Sequence, residues 1–352
     1  TPEIISEIKD KTILVTGAGG SIGSEICRQL FRFNPSKLIL VDHSENNLFL
    51  IENELRARYE YENAIPIVAS IQVREVMRDV FKRYRPSIVF HSAAYKHVPL
   101  MQLNPEAAIE NNFIGTKTLS KLALDFGVER FVLLSTDKAV KPNNIMGISK
   151  LLAERYLQVL TSKDDKDGRR KTKFITVRFG NVLESNGSVV NIFKEQIRGG
   201  GPVRVTHPKM ERYIMTIQEA SQLAIQSCIM GKGGEIFVLN MGQPISILEL
   251  AKNMIKLFGM RPDIDIEIVY TGARDGEKLT EELIRRDEEE LVESGFKHIF
   301  QAKLKVKLDY EDIENTLFCI EREIQGNDYA NLFKDIRRVV SDFDEKVIWY
   351  RS

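Results

Sequence analysis

The stretch "VTGAGGSIGSE", residues 15–25, decides the fold, because it sets a GxxGxxG motif, Gly17, Gly20 and Gly23, at the junction of two predicted elements. The apolar run "KTILVTG" predicts a β-strand, and "SIGSEICRQLFRF" predicts the helix that follows. Glycines at this junction permit a tight turn and let backbone N–H groups approach a pyrophosphate, which the helix amino terminus also attracts. The sequence therefore predicts a dinucleotide site at Gly17, Gly20, Ser21, Ile22 and Gly23.

The second predicted strand, "KLILVD", ends at Asp42, 19 residues after Gly23. A carboxylate at this place accepts hydrogen bonds from the ribose hydroxyls of NAD and repels the 2′-phosphate of NADP. The next residues, "HSENN", contain no arginine that would bind such a phosphate. The sequence therefore predicts NAD as the cofactor.

Strand and helix patterns alternate through the first half of the chain. Short runs such as "AIPIVAS", "SIVFHSAA" and "RFVLLST" alternate with longer helical patterns. This alternation is typical of a parallel sheet with helices on both faces. We therefore predict an α/β protein with a Rossmann-type, doubly wound parallel sheet and a smaller α/β substrate-binding domain.

The alternation ends after "KFITVRFGNV", where the Gly/Pro-rich stretches "RGGGPVRVTHP" and "NMGQP" separate shorter elements. We predict an NAD-binding domain over residues 1–181, with a return segment at about 211–245. The substrate-binding domain is predicted over residues 182–210 and 246–308, and a charged, helical C-terminal tail over residues 309–352.

The composition argues against several classes of function. The 352 residues include 50 acidic and 50 basic side chains, so the zero net charge offers no general attraction to nucleic acid or membrane surfaces. Cys27, Cys228 and Cys319 are far apart and lack metal-binding spacing, so we predict no metal site and a reducing, cytoplasmic compartment. No apolar run approaches the roughly 20 residues of a membrane span.

Further motifs occur in a recognisable order. With the glycine motif, "HSAA", "NNFIGT" and "LLSTDK" resemble the extended short-chain dehydrogenase/reductases. The stretches "VRFGNVLESNGSVV", "VTHPKMERYIMT" and "TGARDGEKLTEEL" narrow the resemblance to the polysaccharide-biosynthesis, CapD-like family of nucleotide-sugar 4,6-dehydratases. Within that family, the chain resembles the UDP-N-acetylglucosamine 4,6-dehydratases that retain the C5 configuration and carry methionine at the usual tyrosine position.

The resemblance implies further residues around the cofactor. Asn112 of "NNFIGT" matches a helical asparagine that organises the active site. Ser70 replaces the usual acidic residue near the adenine, and its hydroxyl can still hydrogen-bond the adenine amino group. The other cofactor contacts implied are Ile71, Ala93, Ala94, Tyr95 and Lys150.

The resemblance also implies that arginines hold the nucleotide diphosphate, a task that suits the planar fork of a guanidinium. A glutamate near them would accept hydrogen bonds from a ribose. Asp275 and Glu184 stand where the family usually has proline and glycine, so we expect both side chains to point away from the diphosphate. The substrate-binding residues implied are Lys96, Asn181, Arg212, Arg274 and Glu277.

The stretch "STDKAVKPNNIMGISK", residues 135–150, carries methionine four residues before its last lysine, where the family usually has tyrosine. A thioether cannot exchange a proton, so the acid–base chemistry must lie elsewhere. The resemblance implies that "TDK" lies over the sugar and supplies that chemistry. The predicted catalytic residues are Thr136, Asp137, Lys138, Met146 and Lys150.

Their roles follow from the reaction that the resemblance implies, which is oxidation at C4 followed by loss of water across C5–C6. Asp137 takes the O4 proton and later returns a proton to O6. Lys138, as a neutral amine, removes the C5 proton. Thr136 hydrogen-bonds O4, and Lys150 holds the ribose and stabilises developing oxyanion charge. Met146 is a neutral wall of the pocket.

The predicted function is NAD-dependent conversion of UDP-N-acetylglucosamine to UDP-2-acetamido-2,6-dideoxy-α-D-xylo-hexos-4-ulose, for bacterial glycan or glycoprotein sugars. A C5-inverting 4,6-dehydratase, a nucleotide-sugar epimerase and a non-catalytic NAD-binding regulator are the alternatives. We expect a UDP-sugar as partner, no nucleic acid or metal, and a homo-oligomer of two or more copies. Because the chain begins at Thr1 and many such relatives carry N-terminal membrane helices, we expect the cytoplasmic portion of a protein anchored through a preceding segment.

Overall fold

The computed structural model describes residues 2–167, 172–306, 308–326 and 328–340. Its strands are β1 (Thr12–Thr16), β2 (Lys37–Asp42), β3 (Ala64–Val68), β4 (Ile88–His91), β5 (Arg130–Leu134), β6 (Lys173–Arg178), β7 (Asn181–Val182), β8 (Val203–Val205), β9 (Glu211–Arg212), β10 (Ile214–Met215), β11 (Ile236–Leu239), β12 (Ile245–Ser246), β13 (Ile268–Tyr270), β14 (Glu289–Phe296) and β15 (Ile299–Leu304).

The α-helices are α1 (Pro2–Ile8), α2 (Ser21–Leu30), α3 (Glu45–Asn53), α4 (Arg74–Tyr84), α5 (Val98–Leu103), α6 (Pro105–Ile109), α7 (Gly115–Asp125), α8 (Ile145–Asp167), α9 (Val189–Arg198), α10 (Ile217–Met230), α11 (Ile247–Leu257), α12 (Tyr310–Gly326) and α13 (Tyr329–Val339). Shorter helical segments are Phe31–Phe33, Glu54–Arg58, Glu110–Ile114 and Asp137–Ala139.

Nine strands form one sheet in the order β14-β15-β11-β6-β5-β4-β1-β2-β3. The seven strands from β11 to β3 pair in parallel, and β15 and β14 add antiparallel at one edge. Parallel neighbours need crossover connections, which here are mostly helices. The predicted α/β class and its Rossmann-type sheet are confirmed.

Both faces of the sheet are buried, as the continuous apolar runs in its strands predict. Side chains alternate along a strand, so Leu14 of β1 packs into one hydrophobic cluster, while Ile13 and Val15 pack into the cluster on the opposite face. Helices cover each cluster. The carboxyl ends of the parallel strands are the usual place of a ligand site in such a sheet.

A third hydrophobic cluster lies apart from the large sheet. It includes Phe193 of α9, Val203 and Val205 of β8, and Ile268 of β13, and β8 pairs in parallel with β13. These residues fall within the ranges predicted for the substrate-binding domain. Several members of this cluster face the large cavity described below.

The hairpin of β14 and β15 also falls within the range predicted for the substrate-binding domain, but it joins the large sheet through β11. Arg178, at the end of β6, forms ion pairs of 2.7 Å with Glu154 of α8 and with Glu289 of β14. All three side chains are at most 1% exposed. This buried network ties the hairpin to the centre of the sheet.

The predicted tail forms α12 and α13, which pack against each other, and α12 also packs against α8. Leu317 and Ile320 of α12 belong to the same hydrophobic cluster as the buried face of α8. Residues 341–352 of the predicted tail lie outside the described residues.

Within the described part of the chain, no helix is long and apolar enough to cross a membrane. Over the same residues, no three histidine, cysteine, aspartate or glutamate side chains are grouped to hold a metal ion.

Candidate active site

The predicted glycine turn joins β1 to α2 and keeps its backbone open to a ligand. Gly17 has a φ of +66°, a conformation that favours glycine. A Cβ added to Gly17 would lie 2.7 Å from the Ala93 nitrogen, and one added to Gly23 would lie 2.0 Å from the Gly17 carbonyl oxygen. Gly20 precedes the first turn of α2, whose amino terminus suits an anion. The turn therefore fits the pyrophosphate of a dinucleotide.

Asp42 ends β2 beside this turn. Its Oδ2 accepts a hydrogen bond of 2.9 Å from the Gly19 N–H, and its Oδ1 accepts one of 2.8 Å from the Ser44 N–H. A carboxylate has about four acceptor sites in all, so ribose hydroxyls can still donate to it. The position therefore fits the predicted contact with the ribose.

Four other residues predicted to contact the cofactor lie at the carboxyl ends of neighbouring strands. Ser70 and Ile71 follow β3, and Ile71 is buried against Gly115. Ala93 follows β4 and abuts the glycine turn, whereas Ala94 lines the cavity.

Asn112 holds the loop after β4 against α8. Its Oδ1 accepts a hydrogen bond of 2.8 Å from the Tyr95 N–H, and its Nδ2 donates to the Tyr95 carbonyl at 2.9 Å and to Ser149 Oγ at 3.0 Å. The side chain is fully buried and does not line the cavity. Asn112 therefore orders the site from behind and fixes where Tyr95 and Lys96 meet the cavity.

One large cavity, of about 1170 Å³, lies between the glycine turn and the third hydrophobic cluster. Pockets for one small molecule usually enclose about 300–1,000 Å³, so this cavity can hold a dinucleotide and a second ligand together. Sixteen of the predicted residues line it: Gly17, Gly20, Ser21, Ile22, Gly23, Ala94, Tyr95, Lys96, Thr136, Lys138, Met146, Lys150, Asn181, Arg212, Arg274 and Glu277. The predicted residues that do not line it are Asp42, Ser70, Ile71, Ala93, Asn112 and Asp137.

Thr136, Asp137 and Lys138 follow β5 and meet around one carboxylate oxygen. Thr136 Oγ1 donates to Asp137 Oδ1 at 2.9 Å, and Lys138 Nζ donates to the same oxygen at 3.0 Å. Asp137 is fully buried, and its Oδ2 has no hydrogen-bond partner in the structure.

The Asp137 carboxylate lies behind Thr136 and Lys138 and does not line the cavity, whereas we predicted that it lies over the sugar. The backbone is the reason. The Asp137 N–H donates to the Phe179 carbonyl at 3.1 Å, and a Cβ added to Gly180 would lie 2.9 Å from Asp137 Oδ2. The end of β6 therefore draws the carboxylate inward.

Lys138 lines the cavity among oxygen acceptors. Its Nζ also donates to Asn181 Oδ1 at 3.0 Å, and Glu281 Oε1 lies 3.9 Å away. Glu281 is 4% exposed and lines the cavity, yet the sequence reasoning missed it. The signal was its place four residues after Glu277 in "GEKLTEEL", but nothing in that spacing shows which carboxylate turns inward.

Met146 and Lys150 lie one turn apart on α8, and both line the cavity. Met146 is 3% exposed and packs in a hydrophobic cluster, so it forms an apolar wall. Lys150 Nζ donates to the Leu134 carbonyl at 2.7 Å. Burial lowers the pKa of Lys150 to about 8, although the Glu154 carboxylate opposes this shift. Lys150 therefore exchanges protons nearer neutral pH than an ordinary lysine.

The residues predicted for the nucleotide diphosphate lie in the wall of the same cavity. Arg212 of β9 is 7% exposed, and its Nη1 donates to the carbonyls of Glu211 at 2.7 Å and Leu279 at 3.1 Å. Arg274 is exposed in a turn, where its N–H donates to Glu277 Oε2 at 3.3 Å. One arginine is therefore fixed by the backbone, and the other presents its guanidinium to solvent.

The two departures from the family pattern do not line the cavity. Glu184 is exposed, pairs with Lys194, and has a φ of +58°, which explains why glycine is usual at this position. Asp275 is exposed as well.

A family model described as "Polysaccharide biosynthesis protein" matches residues 13–304. The chain is also 47% identical over 318 residues to the capsular polysaccharide biosynthesis protein CapD of Staphylococcus aureus. That match covers 89% of this chain and 52% of CapD, so the chain spans about half the length of this relative.

Solved structures share the fold. Pen from Bacillus thuringiensis matches with a TM-score of 0.75 and 32% identity, over 86% of this chain and 90% of that one. The dTDP-glucose 4,6-dehydratase DesIV from Streptomyces venezuelae, solved with NAD and TYD bound, matches with a TM-score of 0.68 and 20% identity, over 78% and 89%. At 20% identity the likeness to DesIV concerns the fold alone. By its family match and its identity to CapD, the chain belongs to the polysaccharide biosynthesis protein family.

Proposed function

We propose that this chain catalyses the NAD-dependent 4,6-dehydration of UDP-N-acetylglucosamine and retains the C5 configuration. The observation that carries the proposal is the hydrogen-bonded group of Thr136, Asp137 and Lys138 at a cavity whose wall has Met146 in place of a tyrosine. A regulator that only senses NAD has no use for such an acid–base group. Turnover of UDP-N-acetylglucosamine by the purified protein, with the product identified by NMR, tests the proposal.

NAD is the cofactor in this proposal. Gly17, Gly20 and Gly23 would hold its pyrophosphate, and Asp42 would hold the adenosine ribose. When bound, NAD would supply the hydride acceptor for C4 of the sugar and the hydride donor for C6. A solved structure with the same fold contains NAD, which supports this assignment.

We expect the wild-type protein to bind NAD more tightly than NADP, by about tenfold or more. Two like charges about 4 Å apart repel by about 1–4 kcal/mol near a protein surface, and Asp42 would lie that close to a 2′-phosphate. Isothermal titration calorimetry measures both affinities. Asp42→Asn should reduce the difference between the affinities for NAD and NADP. Glu45→Gln, at an exposed position nearby, should preserve that difference. Tighter binding of NADP by the wild type would contradict the assignment.

Thr136 would carry the O4 proton. Its hydroxyl already donates to Asp137 Oδ1, so it can accept a hydrogen bond from O4 while its own proton passes to Asp137. The reverse transfer delivers a proton to O6 as water leaves. Asp137 therefore needs no direct contact with the sugar.

Lys138 takes the C5 proton and returns it to the same face of C5 after C6 has been reduced. A single base on one face retains the configuration, because the proton leaves and comes back from the same side. Lys150 stabilises negative charge that develops at O4, and Met146 excludes water beside it.

Replacing Arg274 with alanine should weaken binding of UDP by about tenfold to a hundredfold. A hydrogen bond to a charged group is worth about 1.5–3 kcal/mol, and the guanidinium would make such bonds to the diphosphate. Calorimetry with UDP measures the loss, and Arg286→Ala, an exposed arginine 12 residues further on, is the matched control. Unchanged UDP affinity in Arg274→Ala would remove this residue from the site.

A cytoplasmic location, a homo-oligomeric state and attachment to a membrane through a preceding segment stay predictions.

A further inference from the structure

Glu281 is a buried carboxylate at the centre of the cavity wall. Its Oε1 lies 3.9 Å from Lys138 Nζ, and its Oε2 is buried without a hydrogen-bond partner in the structure. A charged oxygen left in this state loses its hydration without compensation, whereas a protonated carboxyl carries less charge to bury. The geometry therefore provides a place for a proton.

The other charged groups around Glu281 are Asp137, Arg212 and Lys278. The Arg212 Nη1 donates to two backbone carbonyls, and Lys278 Nζ donates to the Val140 carbonyl at 2.9 Å. Lys138 Nζ donates instead to the side chains of Asp137 and Asn181. It lies between the carboxylates of Asp137 and Glu281.

Burial raises the pKa of Glu281, and the Asp137 carboxylate raises it further. Lys138, Arg212 and Lys278 oppose this shift without cancelling it. A raised pKa is what a carboxylate needs if it is to take a proton at neutral pH.

We infer that Glu281 takes the ammonium proton of Lys138 when the sugar nucleotide fills the cavity, which leaves Lys138 as the neutral amine that removes the C5 proton. This inference rests on the proposed dehydration. The transfer breaks one N–H bond of Lys138 and forms one O–H bond on Glu281, and the total charge of the pair stays zero. Filling the cavity excludes water, and a low dielectric disfavours a separated ion pair relative to its neutral form.

The two buried carboxylates then have different tasks. Asp137 exchanges the O4 and O6 protons through Thr136, while Glu281 acts through Lys138 as a positioning residue that does not touch the reacting carbons. Acid–base pairs are commonly separated in this way, with two carboxyl groups held in different environments.

Glu281→Gln keeps the size of the side chain but cannot accept the proton. We expect this variant to form product more slowly at neutral pH and to recover about tenfold per pH unit as the pH rises. Bulk water must then take the lysine proton. At pH values below the pKa of a lysine, its neutral fraction grows tenfold for each unit by which the pH rises. In the wild type, the rate of product formation should depend only weakly on pH. Glu281→Asp should restore this weak pH dependence at a lower rate.

The matched control is Glu282→Gln, the neighbouring and more exposed glutamate, which should keep the wild-type profile. A purely structural role for Glu281 would change the rate or KM but leave the pH profile parallel to the wild type. That result in an active enzyme overturns the inference and leaves the dehydratase proposal standing.

A second measurement does not depend on turnover. The probe is UDP-N-acetyl-6-deoxyglucosamine, which has no C6 hydroxyl to lose. It is added to protein loaded with NADH, which cannot oxidise C4, so Asp137 receives no O4 proton. Its addition should produce an infrared band of a protonated carboxyl in the wild type and in Glu282→Gln, but not in Glu281→Gln. Absence of the band in the wild type overturns the inference. A band in a wild-type protein that makes no product from UDP-N-acetylglucosamine supports the proton transfer and overturns the dehydratase proposal instead.

Discussion

Asp137→Asn should lower the formation of product from UDP-N-acetylglucosamine by about 10²–10⁴-fold, the usual cost of losing a general acid–base group. An amide cannot take the proton that Thr136 passes on, although it fills the same space. Asp137 is fully buried, and Oδ1 accepts hydrogen bonds from both Thr136 and Lys138, so the substitution also disturbs how those two side chains are held. Steady-state turnover at saturating substrate measures the effect.

Two further variants separate the proton relay from general damage. Met146→Leu should retain much of the activity, because the volume is nearly conserved and no proton donor is lost. Asp79→Asn, at an exposed position on α4, is the matched control for the change of carboxylate to amide. Equal unfolding temperatures would show that all three variants fold. An inactive Met146→Leu enzyme beside an active Asp137→Asn enzyme would refute the relay.

Arg178→Met should destabilise the folded protein by about 3–5 kcal/mol, the usual cost of removing one partner from a buried ion pair. Arg178 is 1% exposed and makes bidentate hydrogen bonds to Glu154 and to Glu289. Its removal would leave two buried carboxylates without the partner of their ion pairs. Urea unfolding measures the loss, and Arg56→Met, which removes exposed pairs, should cost only about 0–1 kcal/mol.

The pH dependence of the free energy of unfolding provides a second test of this prediction. Burial alone would raise the pKa of Glu289, but Arg178 holds it below the usual value. The stability from this carboxylate is therefore present above its unfolded pKa and lost as the pH falls through the lowered folded value. In Arg178→Met the buried carboxylates favour protonation, so the difference from the wild type should shrink at acid pH. A difference that stays constant with pH would contradict the role of the ion pairs.

Local patterns were enough to predict the fold. Strand β1, the glycine turn and α2 follow from apolar periodicity and from four glycines within seven residues. The repeated alternation then predicts a parallel sheet buried on both faces. The edge hairpin escaped prediction, because its place depends on pairing with β11 and on a contact between Arg178 and Glu289, which are 111 residues apart.

Site residues could be predicted where they belong to a sequence motif. The orientation of a side chain could not be predicted where it depends on a tertiary contact. Sixteen predicted residues do line one cavity. Asp137 lies behind that wall because Phe179, which is distant in sequence, binds its backbone. Glu281 lies near Lys138 because backbone carbonyls and side chains of its segment bond to Glu211 and Val140, and no spacing within "GEKLTEEL" encodes that approach.

The most direct test of the proposed function follows UDP-N-acetylglucosamine by NMR in deuterated water, with the purified protein and NAD. We expect the 4-keto-6-deoxy product in the D-xylo configuration, with no net change in the amount of NAD. Accumulation of the C5-inverted isomer, of a C4 epimer, or of unchanged substrate would contradict it.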